Sequence, residues 1–320
     1  MDFTNVFAPI SGQLEEFEAE LKAILETDSP LIRDITEHLY GGSGKRLRPA
    51  LIFLASGKKN RPALYAALAI ELIHTATLLH DDVVDESVTR RGIETVNHKW
   101  SNLVSVLMGD YFFAKAFGML VKAQSPGLME TFAEATERVS VGELNQAFYT
   151  GNFDIGEEMY LRIIADKTAS LFACSAEAGA ICSRHNGDVR RGLRSYGENL
   201  GLAFQITDDV LDLIGETKKT GKSLGSDIRE GWVTLPLIEA LRNDDGKSKE
   251  RFRRILGGDV RQADLADVVD FVQQYGGIEY AEQKARLYVE KAVDVLEGLD
   301  GLPMKPALVE LAGLAAKRDR

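Results

Sequence analysis

The chain has 320 residues, of which 45% are hydrophobic and 27% charged, a composition typical of a globular protein with a large core. Its formal net charge of −11 argues against a nucleic-acid-binding surface and favours a protein that requires cations. Cys174 and Cys182 have neither metal-ligand nor CxxC spacing, so we expect two reduced core thiols in a cytoplasmic protein.

The N-terminal segment is predicted to be helical. Residues 1–4 lack the basic and apolar regions of a secretory signal, and no apolar run reaches the roughly eighteen residues of a membrane-spanning helix. An apolar stripe at helical spacing covers residues 14–25, and a shorter helix is expected over residues 31–39.

A basic loop, Gly44-Lys45-Arg46-Leu47-Arg48-Pro49, follows and leads into a helix from about Ala50. It is not a P-loop, because Arg46 follows Lys45 where Ser or Thr would be needed and no strand precedes it. A flexible turn that presents Lys45 and Arg48 at a helix entrance suits an anion. An ordinary basic loop is the alternative.

The strongest chemical signal of the N-terminal half is the run Leu78–Asp85, in a helix predicted over residues 62–86. Asp81 and Asp85 are four residues apart, so a helix places them on one face, with Asp82 beside them. Three carboxylates this close repel one another, which indicates a bound cation. Oxygen ligands completed by water and phosphate are typical of Mg²⁺.

Basic and polar residues flank this motif. His74 lies two turns before Asp81 on the same face, where a buried core histidine is the alternative interpretation. Arg90 and Arg91 follow in a polar turn. Further helices are then predicted over residues 101–122, 127–150 (loosened near Gly142), 156–184 and 189–213.

The fourth of these later helices repeats the acidic spacing in Asp208-Asp209-Val210-Leu211-Asp212. One DDxxD is often a solvated helix face, but two in apolar helices indicate a shared metal site. Lys167 and Thr168 lie inside the preceding helix, and a buried lysine needs an anionic partner. Lys222 lies in the flexible loop over residues 215–227, and helices continue from residue 234 to the C-terminus.

These patterns predict an all-α fold: a single domain over residues 1–320, built as a bundle of ten or more helices around a central cavity. The chain resembles the trans-isoprenyl diphosphate synthases, or polyprenyl synthetases, over about residues 40–240. The matching motifs are Gly44–Pro49, Leu79–Asp85, Arg90–Gly92, Lys167–Thr168, Gln205–Asp212 and Gly221–Lys222.

The resemblance implies Mg²⁺-dependent condensation of isopentenyl diphosphate onto farnesyl or geranylgeranyl diphosphate, by ionisation, condensation and elimination. It implies about three Mg²⁺ ions in each active site, held by the two acidic motifs. The metal-binding residues would be Asp81, Asp82, Asp85, Asp208, Asp209 and Asp212. The catalytic residues would be Asp81, Asp85, Asp208, Lys167, Thr168, Gln205 and Lys222. Substrate binding would fall to Lys45, Arg48, His74, Arg90 and Arg91.

The run Ile73–His80 looks like that of long-chain synthases, which implies an octaprenyl-like product of about C30 to C45 for quinone side chains. The growing product chain is expected to run through a passage below Asp81. Ala76 and Thr77 leave this passage open, where short-chain members of the family carry an aromatic residue. The floor of the passage is assigned to Ile73 and Phe132, with Phe117 and Met119 as alternatives. A homodimer that hands its product to membrane enzymes is also expected.

One position departs from the family pattern. Trp232 stands in Glu230-Gly231-Trp232-Val233-Thr234 where the family usually has a lysine, so a charge near the diphosphate is missing. Arg229 is a possible substitute for it.

The alternatives are a short-chain farnesyl or geranylgeranyl diphosphate synthase, a class I terpene cyclase, a non-catalytic partner subunit and a non-enzymatic cation-binding helical protein. Both acidic motifs are complete and the basic set is ordered along the chain, which favours the synthase.

Overall fold

The computed structural model of the protein describes residues 3–41, 44–90, 92–215, 225–245, 247–256 and 262–316. The N-terminal half contains α1 (Thr4–Phe7), a 3-10 turn (Ala8–Ile10), α2 (Ser11–Leu25), α3 (Pro30–Tyr40), α4 (Leu47–Ser56), α5 (Arg61–Val84), strands β1 (Thr89–Arg90) and β2 (Ile93–Glu94), α6 (Val96–Lys99), α7 (Asn102–Ala123) and α8 (Pro126–Tyr149).

The C-terminal half continues with α9 (Glu157–Ile164), a π-helical segment (Ala165–Ala169), α10 (Ser170–Cys182), α11 (Gly187–Ile214), α12 (Ser226–Arg229), α13 (Leu235–Asn243), α14 (Lys249–Leu256), α15 (Gln262–Gln274), α16 (Gly277–Glu297) and α17 (Lys305–Ala315). The all-α prediction is confirmed.

Several of the long helices begin at a residue whose side chain caps them. The Asn60 side chain accepts a hydrogen bond from the Ala63 backbone nitrogen at 2.8 Å, with Pro62 in the first turn of α5. Ser101 and Ser125 cap α7 and α8 in the same way. Each cap satisfies one backbone donor that the first turn would otherwise leave without a partner.

The helices enclose two apolar clusters of buried side chains. The first lies between α1–α8, α10 and the C-terminal helices, and the second between α9, α13, α15 and α16. Helix α11 belongs to both, since Leu193 lies in the first cluster and Ile206 in the second. This helix therefore carries the second acidic motif through the middle of the fold. The single-domain organisation itself stays a prediction.

Three local features differ from the sequence prediction. After the first acidic motif, β1 and β2, of two residues each, form a β-hairpin in which Thr89 pairs with Glu94. Helix α8 runs through Gly142 without a break. The helix expected over residues 156–184 is interrupted by the π-helical segment, a bulge often found at functional sites.

Two helices, α5 and α7, are long and apolar enough to cross a membrane by length and composition, which the sequence analysis did not expect. Most of α5 is buried in the core, whereas α7 is buried along a smaller share of its length. Core helices of soluble proteins pass the same test, so these two helices are weak evidence for a membrane span.

Candidate active site

The first acidic motif lies at the C-terminal end of α5. Asp82 is buried and accepts a hydrogen bond at 2.7 Å from Nε of Arg90, which the β-hairpin brings back over the helix end. The Asn97 side chain donates to the Asp82 backbone oxygen at 2.9 Å. Asp82 therefore anchors Arg90 beside the neighbouring aspartates.

Asp81 lies in a buried, electrically crowded position. Burial raises the pKa of Asp81 to about 8, although the cations of Lys167 and Arg90 act in the opposite direction. The carboxylates of Glu143 and Asp85 raise this pKa further. A buried carboxyl group surrounded by other acids is costly to ionise, and a bound cation would remove that cost.

Lys167 is a second cation beside this motif. Its Nζ donates to Oε2 of Glu143 at 2.9 Å. Burial works against its charge, but the carboxylates of Asp81, Glu143 and Asp85 more than offset burial and raise the pKa of Lys167. The lysine therefore stays protonated beside the first acidic motif and can pair with a phosphate oxygen.

The π-helical segment is held against α8 by close packing and hydrogen bonds. A Cβ at Gly142 would lie 2.4 Å from the Lys167 backbone nitrogen, so only glycine permits this approach. Nε of Arg138 donates to Asp166 at 2.8 Å, and its Nη2 donates to the Ala165 backbone oxygen at 3.2 Å. Gly142 thus has a packing role, whereas the sequence had suggested only that the helix is loosened there.

Thr168 connects this segment to the second acidic motif on α11. Its hydroxyl donates to Oε1 of Gln205 at 2.8 Å, and Nε2 of Gln205 donates to Oδ1 of Asp209 at 2.7 Å. The other oxygen of Asp209 accepts a hydrogen bond from the Tyr160 hydroxyl at 2.6 Å. The structure thus brings Lys167, Thr168 and Gln205 together between the two motifs.

The three aspartates of the second motif differ in their surroundings. Asp212 accepts hydrogen bonds from the Ser226 hydroxyl at 2.6 Å and from the Asp227 backbone nitrogen at 3.1 Å, which ties α11 to α12. Asp209 is buried, whereas Asp208, at the preceding position of the helix, is half-buried. Lys222 lies outside the described residues.

The donor set fits Mg²⁺ if substrate completes the coordination. Among the residues that the structure describes, no three acidic, histidine or cysteine side chains converge enough to enclose a metal ion. Mg²⁺ commonly takes only one or two carboxylates and fills its octahedron with water and phosphate oxygens. Asp81 and Asp85 on α5, with Asp208 on α11, could hold ions in this way. The assignment of all six carboxylates as ligands stays a prediction.

The basic loop is shaped by Arg46, which the sequence analysis did not assign to any role. Arg46 has a left-handed backbone (φ 48°) just before α4. Its guanidinium donates to Glu71 on α5 at 2.5 Å and to Glu18 on α2 at 2.7 Å. Glu71 is the one charged side chain in the apolar body of α5, a signal that could have revealed this contact.

Arg48, at the start of α4, contacts α10. The guanidinium carbon of Arg48 lies 4.7 Å from the ring centroid of Phe172, whose ring contacts Phe204 beside Gln205. Lys45 is exposed, and His74 is half-buried one turn beyond Glu71 on α5. Arg91 lies outside the described residues.

The proposed chain-length residues separate into buried and exposed positions. Ile73, Ala76 and Phe132 are fully buried, Thr77 is half-buried, and Met119 is buried on α7. Phe117 is 45% exposed, so its assignment as an alternative floor is wrong for the single chain. It lies on the outer face of α7, which helical periodicity alone did not distinguish from the inner face.

Comparison with known proteins agrees with this geometry. Residues 29–274 match the polyprenyl synthetase family. The chain is 37% identical to octaprenyl diphosphate synthase from Escherichia coli over 92% of this chain and 93% of that protein. It is 36% identical to the all-trans-nonaprenyl-diphosphate synthase (geranyl-diphosphate specific) from Rhodobacter capsulatus, over 98% and 97%.

Among solved structures, polyprenyl synthase from Caulobacter crescentus, complexed with calcium and isoprenyl diphosphate, superposes with a TM-score of 0.94. The identity is 35%, over 99% of this chain and 98% of that one. The family match and these full-length similarities agree with the two acidic motifs and the basic loop. The chain belongs to the polyprenyl synthetase family of prenyltransferases.

Proposed function

We propose that the protein is an all-trans polyprenyl diphosphate synthase. It adds isopentenyl diphosphate repeatedly to farnesyl or geranylgeranyl diphosphate and makes a medium- to long-chain, octaprenyl-like product. The observation that carries this proposal is the placement of Lys167, Thr168 and Gln205 between the two acidic motifs, together with a basic loop for a second diphosphate.

The allylic diphosphate binds between the two motifs. Asp81, Asp85 and Asp208 would hold Mg²⁺, which would supply positive charge to stabilise the departing diphosphate. Lys167 and Arg90 contribute fixed positive charge to the same leaving group. Asp82, Asp209 and Asp212 each accept hydrogen bonds, so they also orient the side chains of the site.

The carbon skeleton reacts on the side of Thr168 and Gln205. Their oxygen atoms can face the allylic cation after the carbon–oxygen bond breaks, yet each is occupied in a hydrogen bond and is a poor nucleophile. The double bond of isopentenyl diphosphate attacks the cation, a carbon–carbon bond forms, and a proton is lost to the released diphosphate. No protein base is needed.

A radiolabelled assay tests the proposal directly. Purified protein is incubated with Mg²⁺, farnesyl diphosphate and labelled isopentenyl diphosphate, and the products are separated by length. Long all-trans products are expected. A product stopped at the geranylgeranyl length would make this a short-chain synthase, cyclised products a terpene cyclase, and no product a non-catalytic protein.

Isopentenyl diphosphate binds the basic loop, and this assignment predicts a selective kinetic effect. Arg48→Ala should raise the KM for isopentenyl diphosphate by roughly tenfold to a hundredfold, because it removes a charge-assisted contact of about 1.5–3 kcal/mol. The KM for the allylic substrate should stay within about twofold. Steady-state kinetics with each substrate varied in turn measure both values.

The matched control for this experiment is Lys59→Ala, which removes an exposed surface cation beyond the other end of α4. Both kinetic constants should remain at their wild-type values. An unchanged KM for isopentenyl diphosphate in Arg48→Ala would show that the two diphosphate sites have been assigned in the wrong order.

The homodimer predicted from the resemblance is expected to form through α7 and α8, which expose eight large apolar side chains. These are Leu103, Val106, Leu107, Phe117 and Val121 on α7, with Val141, Leu144 and Phe148 on α8. Large exposed apolar patches often mark interaction sites, and these side chains lie on two neighbouring helices. A second copy of the chain would bury both sets at once, as expected of a two-fold interface.

Introducing charge on this face should therefore yield monomers. The double variant Leu144→Asp/Phe148→Asp changes two side chains that are 72% and 79% exposed, so the fold of one chain should be little affected. Light scattering after gel filtration should show twice the mass of one chain for the wild type and one chain for the variant. Leu287→Asp, on the exposed side of α16, should remain dimeric. A wild-type monomer would refute the dimer.

The cytoplasmic location and the transfer of the product to membrane enzymes stay predictions.

A further inference from the structure

Trp232 does not lie at the surface in place of the missing lysine. It is only 5% exposed and belongs to the second apolar cluster. Its ring stacks on that of Tyr160, with the centroids 6.4 Å apart and the planes inclined by 28°. The tryptophan thus supplies an apolar surface under the second acidic motif where the family usually has a charge.

The ring of Tyr160 carries this contact to Asp209. Tyr160 is fully buried, and its hydroxyl donates to Oδ2 of Asp209 at 2.6 Å. Burial, and after it the charge of Asp209, raises the pKa of Tyr160 well above its usual value. The hydroxyl therefore keeps its proton and acts as the donor to the carboxylate.

Asp209 in turn decides how the amide of Gln205 is oriented. Its Oδ1 accepts from Nε2 of Gln205 at 2.7 Å, so Gln205 presents its amide nitrogen to this carboxyl group. Its oxygen then faces Thr168, whose hydroxyl donates to it at 2.8 Å. Thr168 and Gln205 are the residues placed beside the allylic cation. Reversing the amide would put its N–H groups, with their positive partial charge, on that side.

We propose that Trp232 and Tyr160 are positioning residues for the second acidic motif. The stacked rings hold the Tyr160 hydroxyl on Asp209, and Asp209 fixes the Gln205 amide beside Thr168. The inference rests on the proposed function, because it assigns these residues to the ionisation step. It implies that the tryptophan substitutes for the family's lysine by ordering the site and not by binding diphosphate.

The decisive variant is Tyr160→Phe, which keeps the ring on Trp232 and removes only the hydroxyl. We expect kcat to fall by roughly tenfold to a hundredfold, as for loss of a hydrogen bond to a charged group. The KM of each substrate should stay within about twofold of wild type. Tyr196→Phe is the matched control, since this equally buried tyrosine donates to the Leu308 backbone oxygen. Its kcat should not change.

A binding measurement separates positioning from metal ligation. Mn²⁺ binding in the presence of inorganic diphosphate, followed by electron paramagnetic resonance, should be as tight in Tyr160→Phe as in wild type. Asp208→Ala should weaken it at least about tenfold. This readout does not depend on turnover.

Non-additivity tests the role of Trp232. Trp232→Leu stays apolar but removes the stack, so it should lower kcat in the wild type. It should have little further effect in Tyr160→Phe, because both changes interrupt the same chain of contacts. Trp232→Lys should lower the melting temperature, since it places a charge in an apolar cluster, and should not tighten diphosphate binding.

A kcat of Tyr160→Phe equal to that of Tyr196→Phe would overturn the proposal. So would loss of Mn²⁺ binding in Tyr160→Phe as large as that in Asp208→Ala, or tighter diphosphate binding by Trp232→Lys. If the wild-type protein shows no prenyl transfer, the proposed function itself is refuted. The comparison of variants tests only the positioning role, because it requires an active wild type.

Discussion

Asp81→Ala and Asp208→Ala should each reduce turnover by on the order of a thousandfold or more. Each variant removes a carboxylate from one of the two motifs that would hold the metal-bound diphosphate. The opposite motif cannot provide the missing metal ligand. Product formation from labelled isopentenyl diphosphate at saturating Mg²⁺ measures the effect. Asp188→Ala, an exposed surface carboxylate paired with Arg191, should keep full activity.

Loss of activity in Asp81→Ala should not come from unfolding. The folded-state pKa of Asp81 is raised to about 8, so ionising this group costs stability as pH rises from about 4 through 8. Without metal at pH 8.5, the Asp81→Asn variant should therefore melt at or above the wild-type temperature. Added Mg²⁺ and diphosphate should stabilise the wild type only. Substantial turnover of Asp81→Ala or Asp208→Ala would contradict the two-motif metal site.

With farnesyl diphosphate as the primer, Ala76→Tyr should shorten the product to the geranylgeranyl length or one unit beyond it. Ala76 is fully buried five residues before Asp81 on α5, about 7.5 Å along the helix axis. A chain growing away from the metals passes this level after one or two additions, and a packed interior has little room for a tyrosine ring. The first condensation should survive, because no diphosphate ligand is changed. Separation of labelled products by chain length gives the result.

Graded and opposite changes test the same passage. Ala76→Val should shorten the product less than Ala76→Tyr does. Phe132→Ala should lengthen it if Phe132 forms the floor, whereas Phe117→Ala, on the exposed face of α7, should leave the length unchanged. Normal turnover of Ala76→Tyr with an unaltered product distribution would place the growing chain along another side of α5.

Asp209 and Phe117 mark the limit of prediction from the sequence. Spacing placed Asp209 in an acidic motif, but the hydrogen bonds from Tyr160 and Gln205 come from residues 49 and 4 positions away. Phe117 belongs to an apolar stripe of α7, yet it is exposed in the single chain. A periodic pattern identifies a helix and an apolar face without showing what covers that face.

The sequence by itself determined most of the helices, the two acidic motifs and the basic loop. These depend on local spacing, because a helix places residues four apart on one face. The tertiary structure alone decided that Arg46 points inward to Glu71, that Lys167 lies on a π-helical segment, and that Trp232 stacks on Tyr160. The two side-chain contacts join residues far apart in the chain, and the π-helical segment packs closely against α8, so each of these features depends on how the helices meet.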